Sequence, residues 1–268
     1  MNSLEKKMVE HLLEMKEKYH VTSLKAEFEA EGSRIEEIMR LKEVSTCAGL
    51  DLTLKIGGCE SKRDMFDAIN IGVNCLVAPM VETEYALKKY LGAIKSAFPQ
   101  DLLNAIEFLI NLETRTSYEN LDKMLQVDDI DLLAGFVIGR VDLTGSLGMD
   151  RDSINNDQIL DISRKIAEKA KAHGKKLIIG GGVSVHAKPF FQALGPDLLD
   201  RYETRKVVFK CPGALNNPEE AFLKAVEFEI MWLKNKKQFY GFIHSEDDAR
   251  LNLMESRYQS SIKALREK

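Results

Sequence analysis

What this 268-residue chain lacks narrows its reading before any motif is considered. No apolar stretch approaches the ~18 residues of a membrane span. The N-terminal MNSLEKKMVEHLLEMKEK is an amphipathic, charged helix and not a signal peptide. A membrane partner is therefore excluded and the cytoplasm is the expected location. No block of Lys or Arg stands out: 38 basic residues face 42 acidic ones for a net charge of −4, which argues against nucleic acid as a partner. Cys47, Cys59, Cys75 and Cys211 form no CxxC pair, so unpaired thiols in a reducing compartment are expected. No linker divides the chain, and a single domain over 1–268 follows. Aromatics are only 7% of the chain, and those at Phe190-Phe191, Trp232 and Phe239-Tyr240 fall at helical spacing and suit a core or a subunit contact better than a base-stacking platform.

What is present is a rhythm. Short apolar runs at 21–28, 52–58, 75–81, 104–113, 135–143, 176–183 and 205–209 start roughly every 25 to 40 residues, with helical periodicity between them. Ser33 to Glu36 reads as a capping box, Asn217-Pro218-Glu219-Glu220 as a helix start, and His173-Gly174 as a helix end. Runs apolar at consecutive positions are covered on both faces, which implies a mostly parallel sheet with helices outside. Seven such units approach the TIM (β/α)8-type barrel, with the eighth strand unassigned. Residues 218–268 read as a C-terminal helical extension that packs on a neighbour or another subunit, the basis for expecting a homo-oligomer.

In a parallel barrel the strand ends share one rim, where barrel enzymes carry their chemistry. Here the tips are charged: Lys25, Glu27, Glu29 and Glu31 after the first run, Lys55 after the second, Glu113 and Arg115 after the fourth, Arg140 and Asp142 after the fifth. A charge at the tip of an apolar strand costs desolvation unless it is paired, ion-bound or solvated. Glu113 and Asp142, on adjacent strands, suit one hard cation such as Mg²⁺ or Mn²⁺; the bland alternative pairs Glu113 with Arg115 or Arg140 in a solvated rim. Arg205 and Lys206 offer charge for a distal carboxylate or phosphate of a second substrate, or else a surface pair with Glu203. Gly180-Gly181-Gly182 lacks the Lys-Ser/Thr of a P-loop and the spacing of a dinucleotide fingerprint, so it reads as a strand-end turn.

LVAPMVET (76–83), INLETRTSYENLDKML (110–125) and GRVDLTGSLG (139–148) resemble the HpcH/HpaI aldolase and citrate lyase family of the phosphoenolpyruvate/pyruvate-binding barrel superfamily. The resemblance implies Glu113 and Asp142 as metal ligands. It also implies a divalent-metal-dependent carbon–carbon lyase or aldolase that acts on a pyruvate-like 2-oxo acid through a metal-stabilised enolate, with an aldehyde or thioester as the other partner. Arg140, Arg205 and Lys206 are then the candidates for binding substrate.

Two departures accompany the resemblance. Glu27 and Glu29 fall on the acidic positions of the aldolases' DGEHAPN segment and are catalytic candidates with Lys55, but Ala30 falls on its histidine, leaving Glu29, Glu31 or a metal-bound water to move protons. Lys55 falls on the arginine that steadies the enolate oxygen and supplies the charge without the bidentate fork. The family's opening strand has no counterpart before residue 20, so a modified or missing first strand is expected. Two further readings stand beside the aldolase: a citrate-lyase or malyl-CoA-lyase type of enzyme, and a catalytically altered barrel acting as a binding or regulatory protein.

Overall fold

The computed structural model describes residues 1–266 and divides the chain into two compact units, Met1–Glu229 and Ile230–Lys268. The first unit is a closed eight-stranded barrel: β1 Val21–Glu27, β2 Asp51–Lys55, β3 Cys75–Ala78, β4 Glu107–Leu112, β5 Leu133–Gly139, β6 Lys176–Gly180, β7 Arg201–Glu203 and β8 Val207–Lys210, in that order around the ring. Helices such as Ile35–Cys47, Lys62–Ile71, Glu84–Ala97 and Asp157–Ala172 connect the strands. Neighbours from β1 to β7 are parallel, whereas β8 runs antiparallel to both β7 and β1.

The eighth strand missing from the sequence reading is thus β7, three residues joined to β8 by a hairpin in which the Thr204 N–H donates to Val207 O at 2.9 Å. The expected pure (β/α)8 closure is replaced by this hairpin. Because β8 descends, its first residues and not its last lie on the rim where the parallel strands end. Among the described residues no strand precedes Val21; the helix Ser3–Tyr19 does, closed by a reciprocal capping box between Asn2 and Glu5.

Period-two alternation sorts the barrel interior into layers. On the N-terminal rim Glu107 takes both Arg201 Nη atoms, at 2.6 and 3.0 Å, and also bonds Lys176. Above it lies an apolar layer of Cys75, Val77, Leu109, Val137 and Ile178. The alternate residues Leu54, Leu76, Phe108, Ile110, Phe136, Ile138, Leu177 and Ile179 are buried as well, so both faces of the sheet are dry, as consecutive apolar positions require. Outside the ring Phe191, Tyr202 and Phe209 stack at 5.0 and 4.8 Å between centroids.

The helix ends are partly as anticipated. Asp157–Ala172 closes on His173 with Gly174 left-handed at φ 66°. The helix expected to be capped by Ser33 starts instead at Ile35, where the Arg34 N–H faces Glu37 Oε2 at 3.4 Å and Ser33 turns its hydroxyl to Glu31. The last helix, Pro218–Arg266, begins on the proline and gives its first turns to the barrel unit. The second unit is helical and exposes large apolar side chains, among them Phe242, Leu251 and Tyr258. Among the described residues no helix is long and apolar enough to cross a membrane.

Candidate active site

The rim opens into a cleft of about 430 Å³. Inward-facing positions at the strand tips supply Lys25 and Glu27 from β1, Lys55 from β2, Asn111 from β4, Gly139 from β5, Gly180 from β6 and Glu203 from β7. Glu113 follows β4 directly, and Glu29, Asp142, Arg151, Arg205 and Glu229 come from connecting segments and the last helix. Four cationic and six anionic side chains line this space, an excess of two negative charges.

Glu113 is 2% exposed. Its Oε1 accepts the Met80 N–H at 3.0 Å, its Oε2 accepts Asn111 Nδ2 at 2.8 Å, and Lys55 Nζ lies 3.9 Å from the same Oε2. Met80 adopts φ 50° to point that N–H at the carboxylate, a left-handed conformation rare outside glycine and concentrated at sites where geometry serves function. Burial raises the Glu113 pKa and the nearby Asp142 charge adds to the rise, while Lys55, Asn111 and the Met80 amide oppose it. Gly139 is required beside it, since a Cβ there would come within 2.5 Å of Glu113 Oε2. Asp142 does not end a strand: β5 stops at Gly139 and Asp142 lies in the first turn of the short helix Arg140–Ser146, exposed to the cleft. Neither Arg115 nor Arg140 pairs with Glu113; its cation is Lys55.

Lys55 also holds Glu29, at 2.9 Å from its Oε2. Lys25 holds two acids, Glu203 at 2.5 Å and Glu27 at 2.9 Å. All three are under 10% exposed. Burial acts against the Lys25 charge, but the two carboxylates outweigh it and raise its pKa. Glu27 is driven upward by burial and downward, with the larger net effect, by Lys25, Lys55 and Arg205.

Of the three residues proposed from sequence to bind substrate, Arg205 alone lines the cleft, 3.8 Å from Glu229 and not paired with Glu203. Arg140 lies beneath the wall, fully buried. Its guanidinium donates to Gly180 O, Gly181 O and Asn155 Oδ1 at 3.1, 2.9 and 2.6 Å and stacks 4.8 Å from the Phe190 ring. Those contacts shape the triglycine turn that forms one side of the cleft. Lys206 bonds Glu31 and so ties the loop after β1 to the hairpin.

Lys25, Glu203 and Asn111 were not assigned a role from sequence. The signal for Lys25 is its place between Ser23 and Glu27 on the inward face of β1. Glu203 had none, because a three-residue strand is too short to show a period.

The barrel fold agrees with the comparisons to known proteins. Residues 27–185 match the model of the HpcH/HpaI aldolase/citrate lyase family. The chain belongs to this family. Among curated proteins it is similar to 2-keto-3-deoxy-L-rhamnonate aldolase of Klebsiella pneumoniae, 29% identical with 43% of this chain and 52% of the relative covered. The chain thus spans about half the length of the curated relative it matches. Among solved structures it resembles an HpcH/HpaI aldolase from Desulfitobacterium hafniense, with TM-score 0.58, 14% identity and 72% and 81% of the two chains covered. A family protein from Burkholderia cenocepacia gives TM-score 0.58 at 12% identity, with 91% and 100% covered. At such identities the structures attest the fold. The family match ends before β7 and β8, so the hairpin and its Glu203 and Arg205 lie outside it.

Proposed function

We propose that this cleft belongs to a carbon–carbon lyase of the aldolase type that acts on a pyruvate-like 2-oxo acid, with Mg²⁺ or Mn²⁺ held by Glu113 and Asp142. The observation that carries the reading is the pair of carboxylates, one of them nearly fully buried, in a cleft whose side chains leave two negative charges uncompensated. Like charges in such a place are costly without a counter-ion. Among the described residues no three His, Cys, Asp or Glu side chains form a metal cluster. Two carboxylates with water and substrate oxygens suit the six oxygen ligands of a hard dication. Such a cation polarises the keto oxygen of a 2-oxo acid.

The protein's own residues divide the remaining work. Lys55 sets a fixed positive charge beside Glu113, where negative charge grows on the enolate oxygen. Glu29, bonded to Lys55 and positioned next to Ala30, takes the proton that the absent histidine would otherwise move; Glu27, whose pKa Lys25 holds down, is a poor base. Arg205, on the cleft edge, meets the outer part of the substrate. Three of the cleft's four cations, Lys25, Lys55 and Arg205, are already matched to carboxylates, which leaves Arg151 for the phosphates of a coenzyme A thioester and makes that substrate the weaker fit.

Titration of Mn²⁺ by electron paramagnetic resonance checks the donor set. One tight site is expected in the native protein and at least about tenfold weaker binding in Glu113→Gln and in Asp142→Asn. Equal affinity in all three proteins would remove the pair from the mechanism.

A further inference from the structure

Beyond Glu229 the helix Pro218–Arg266 belongs to the second unit, and there it leaves much of its apolar surface in water: Leu233 is 54% and Leu251 55% exposed. Helices in proteins hold together chiefly by packing an apolar face, and a surface this apolar marks a contact. The charges around it fall into two blocks. Lys234, Lys236 and Lys237 precede the apolar segment 239–243, and Glu246, Asp247 and Asp248 follow it. Leu233, Lys237, Tyr240, His244, Asp247 and Leu251 succeed one another at alternating steps of four and three residues, the spacing that keeps one seam of a helix turned to a partner helix. The seam mirrors itself about position 242: Leu233 lies as far before that point as Leu251 lies after it, Lys237 as far as Asp247, and Tyr240 as far as His244.

We infer that two copies of this chain pair through this seam, their helices antiparallel about a two-fold axis level with residue 242. A two-fold contact requires that residue i meet j and that j meet i. Laid antiparallel, the second helix sets Leu233 against Leu251, Lys237 against Asp247 and Tyr240 against His244, each twice. It also brings the lysine block of each copy alongside the acid block of the other. Among the described residues neither Lys237 nor Asp247 forms an ion pair within its own chain. Charges at core positions of a seam cost stability and fix register and orientation.

Other occupants fit this face less well. A parallel pair sets Lys237 on Lys237 and Asp247 on Asp247, and like charges in contact are costly. An unrelated partner gives the sequence no reason to mirror itself. Gly241 points to the same place. A glycine inside a helix costs about 1 kcal/mol relative to alanine, yet a Cβ at Gly241 would meet nothing within 4 Å, so no contact within the chain requires it. One residue from the symmetry point and beside the seam, it lets a second backbone come close. The pairing stands apart from the proposed lyase reading, because the seam contains none of the cleft residues.

Sedimentation velocity of the full chain over a concentration series tests the pairing. The native protein is expected to dimerise. Lys237→Glu and Asp247→Lys each set like charges face to face and are each expected to raise the dissociation constant at least about tenfold. The double variant Lys237→Glu/Asp247→Lys restores opposite charges across an antiparallel seam and is expected to return to within about threefold of the native value. Because it contains both substitutions, its recovery also shows that neither acts by unfolding the helix. A native protein that stays monomeric at every concentration overturns the pairing, as does an assembly that neither single reversal weakens. A double variant as weak as the single ones overturns it too, since only the antiparallel register rejoins the exchanged charges.

Discussion

Lys55 Nζ lies 2.9 Å from Glu29 Oε2, so the lysine expected from the resemblance to replace the family's arginine is bonded to the acid next to Ala30, the residue expected to replace its histidine. The two departures from the family pattern therefore meet in one ion pair. Lysine reaches the acid as a point charge, and Glu29, bonded on one oxygen, keeps the other for a proton.

This pairing predicts that the two residues act together. Glu29→Gln and Lys55→Met should each lower pyruvate deuteration by about 10²–10⁴-fold, and the double variant should cost little more than either single one. Lys55→Arg should retain part of the rate. Full additivity in the double variant, measured by proton NMR, would separate the two residues and return Glu29 to an ordinary rim acid.

The opposite rim predicts a pH dependence with no link to catalysis. Burial pushes the Glu107 carboxyl up, but its bonds to Arg201 and Lys176 outweigh this and hold its pKa below the ordinary value of 4.5. A carboxyl depressed in the folded state stabilises the fold above its unfolded pKa and loses that contribution as pH falls through the folded value. Glu107→Gln should thus cost about 2 kcal/mol at pH 7. The gap from the native protein should close as the pH falls below about 4. Urea unfolding at several pH values reads this, and a gap that stays constant would show that shape and not charge is what Glu107 provides.

Two glycines with the same φ of 74° separate strain from crowding. At Gly72 a Cβ meets nothing within 4 Å, whereas at Gly181 it would lie 2.7 and 2.8 Å from the backbone nitrogens of Arg140 and Val141. Gly72→Ala should cost about 1 kcal/mol, from the left-handed backbone alone. Gly181→Ala should cost at least about twice that and also perturb the cleft wall that Arg140 holds. Similar unfolding free energies for the two variants would mean that the turn between β6 and the cleft yields freely.

Much of the barrel is legible because burial on both faces leaves consecutive apolar residues, and six of the seven runs in the sequence overlap β1 to β6, six of the seven parallel strands. The seventh run was placed correctly but its direction was not, since antiparallel β8 and a parallel strand present the same four residues. That direction follows from β7, which is too short to carry a pattern, and it is what brings Arg205 to the cleft. The strand tips carrying Glu113 and Lys55 were readable as charges that an apolar strand does not need. Arg140 misled for the same reason: a charge at a strand end announces a partner, and here the partners are carbonyls of the neighbouring turn. Lys25 and Glu203 show the limit most plainly. Their 178-residue separation leaves no local trace, and only ring closure sets them in contact.

The proposed lyase function depends on Glu113 and Asp142 holding one dication where a 2-oxo acid can be enolised. The most direct measurement is the rate at which pyruvate methyl protons exchange for deuterium, followed by NMR in the native protein after chelation and again after Mg²⁺ or Mn²⁺ is restored. Exchange should disappear on chelation, return with the metal, and fall at least about 10³-fold in Glu113→Gln. Exchange that survives chelation, or that proceeds undiminished in Glu113→Gln, would contradict it.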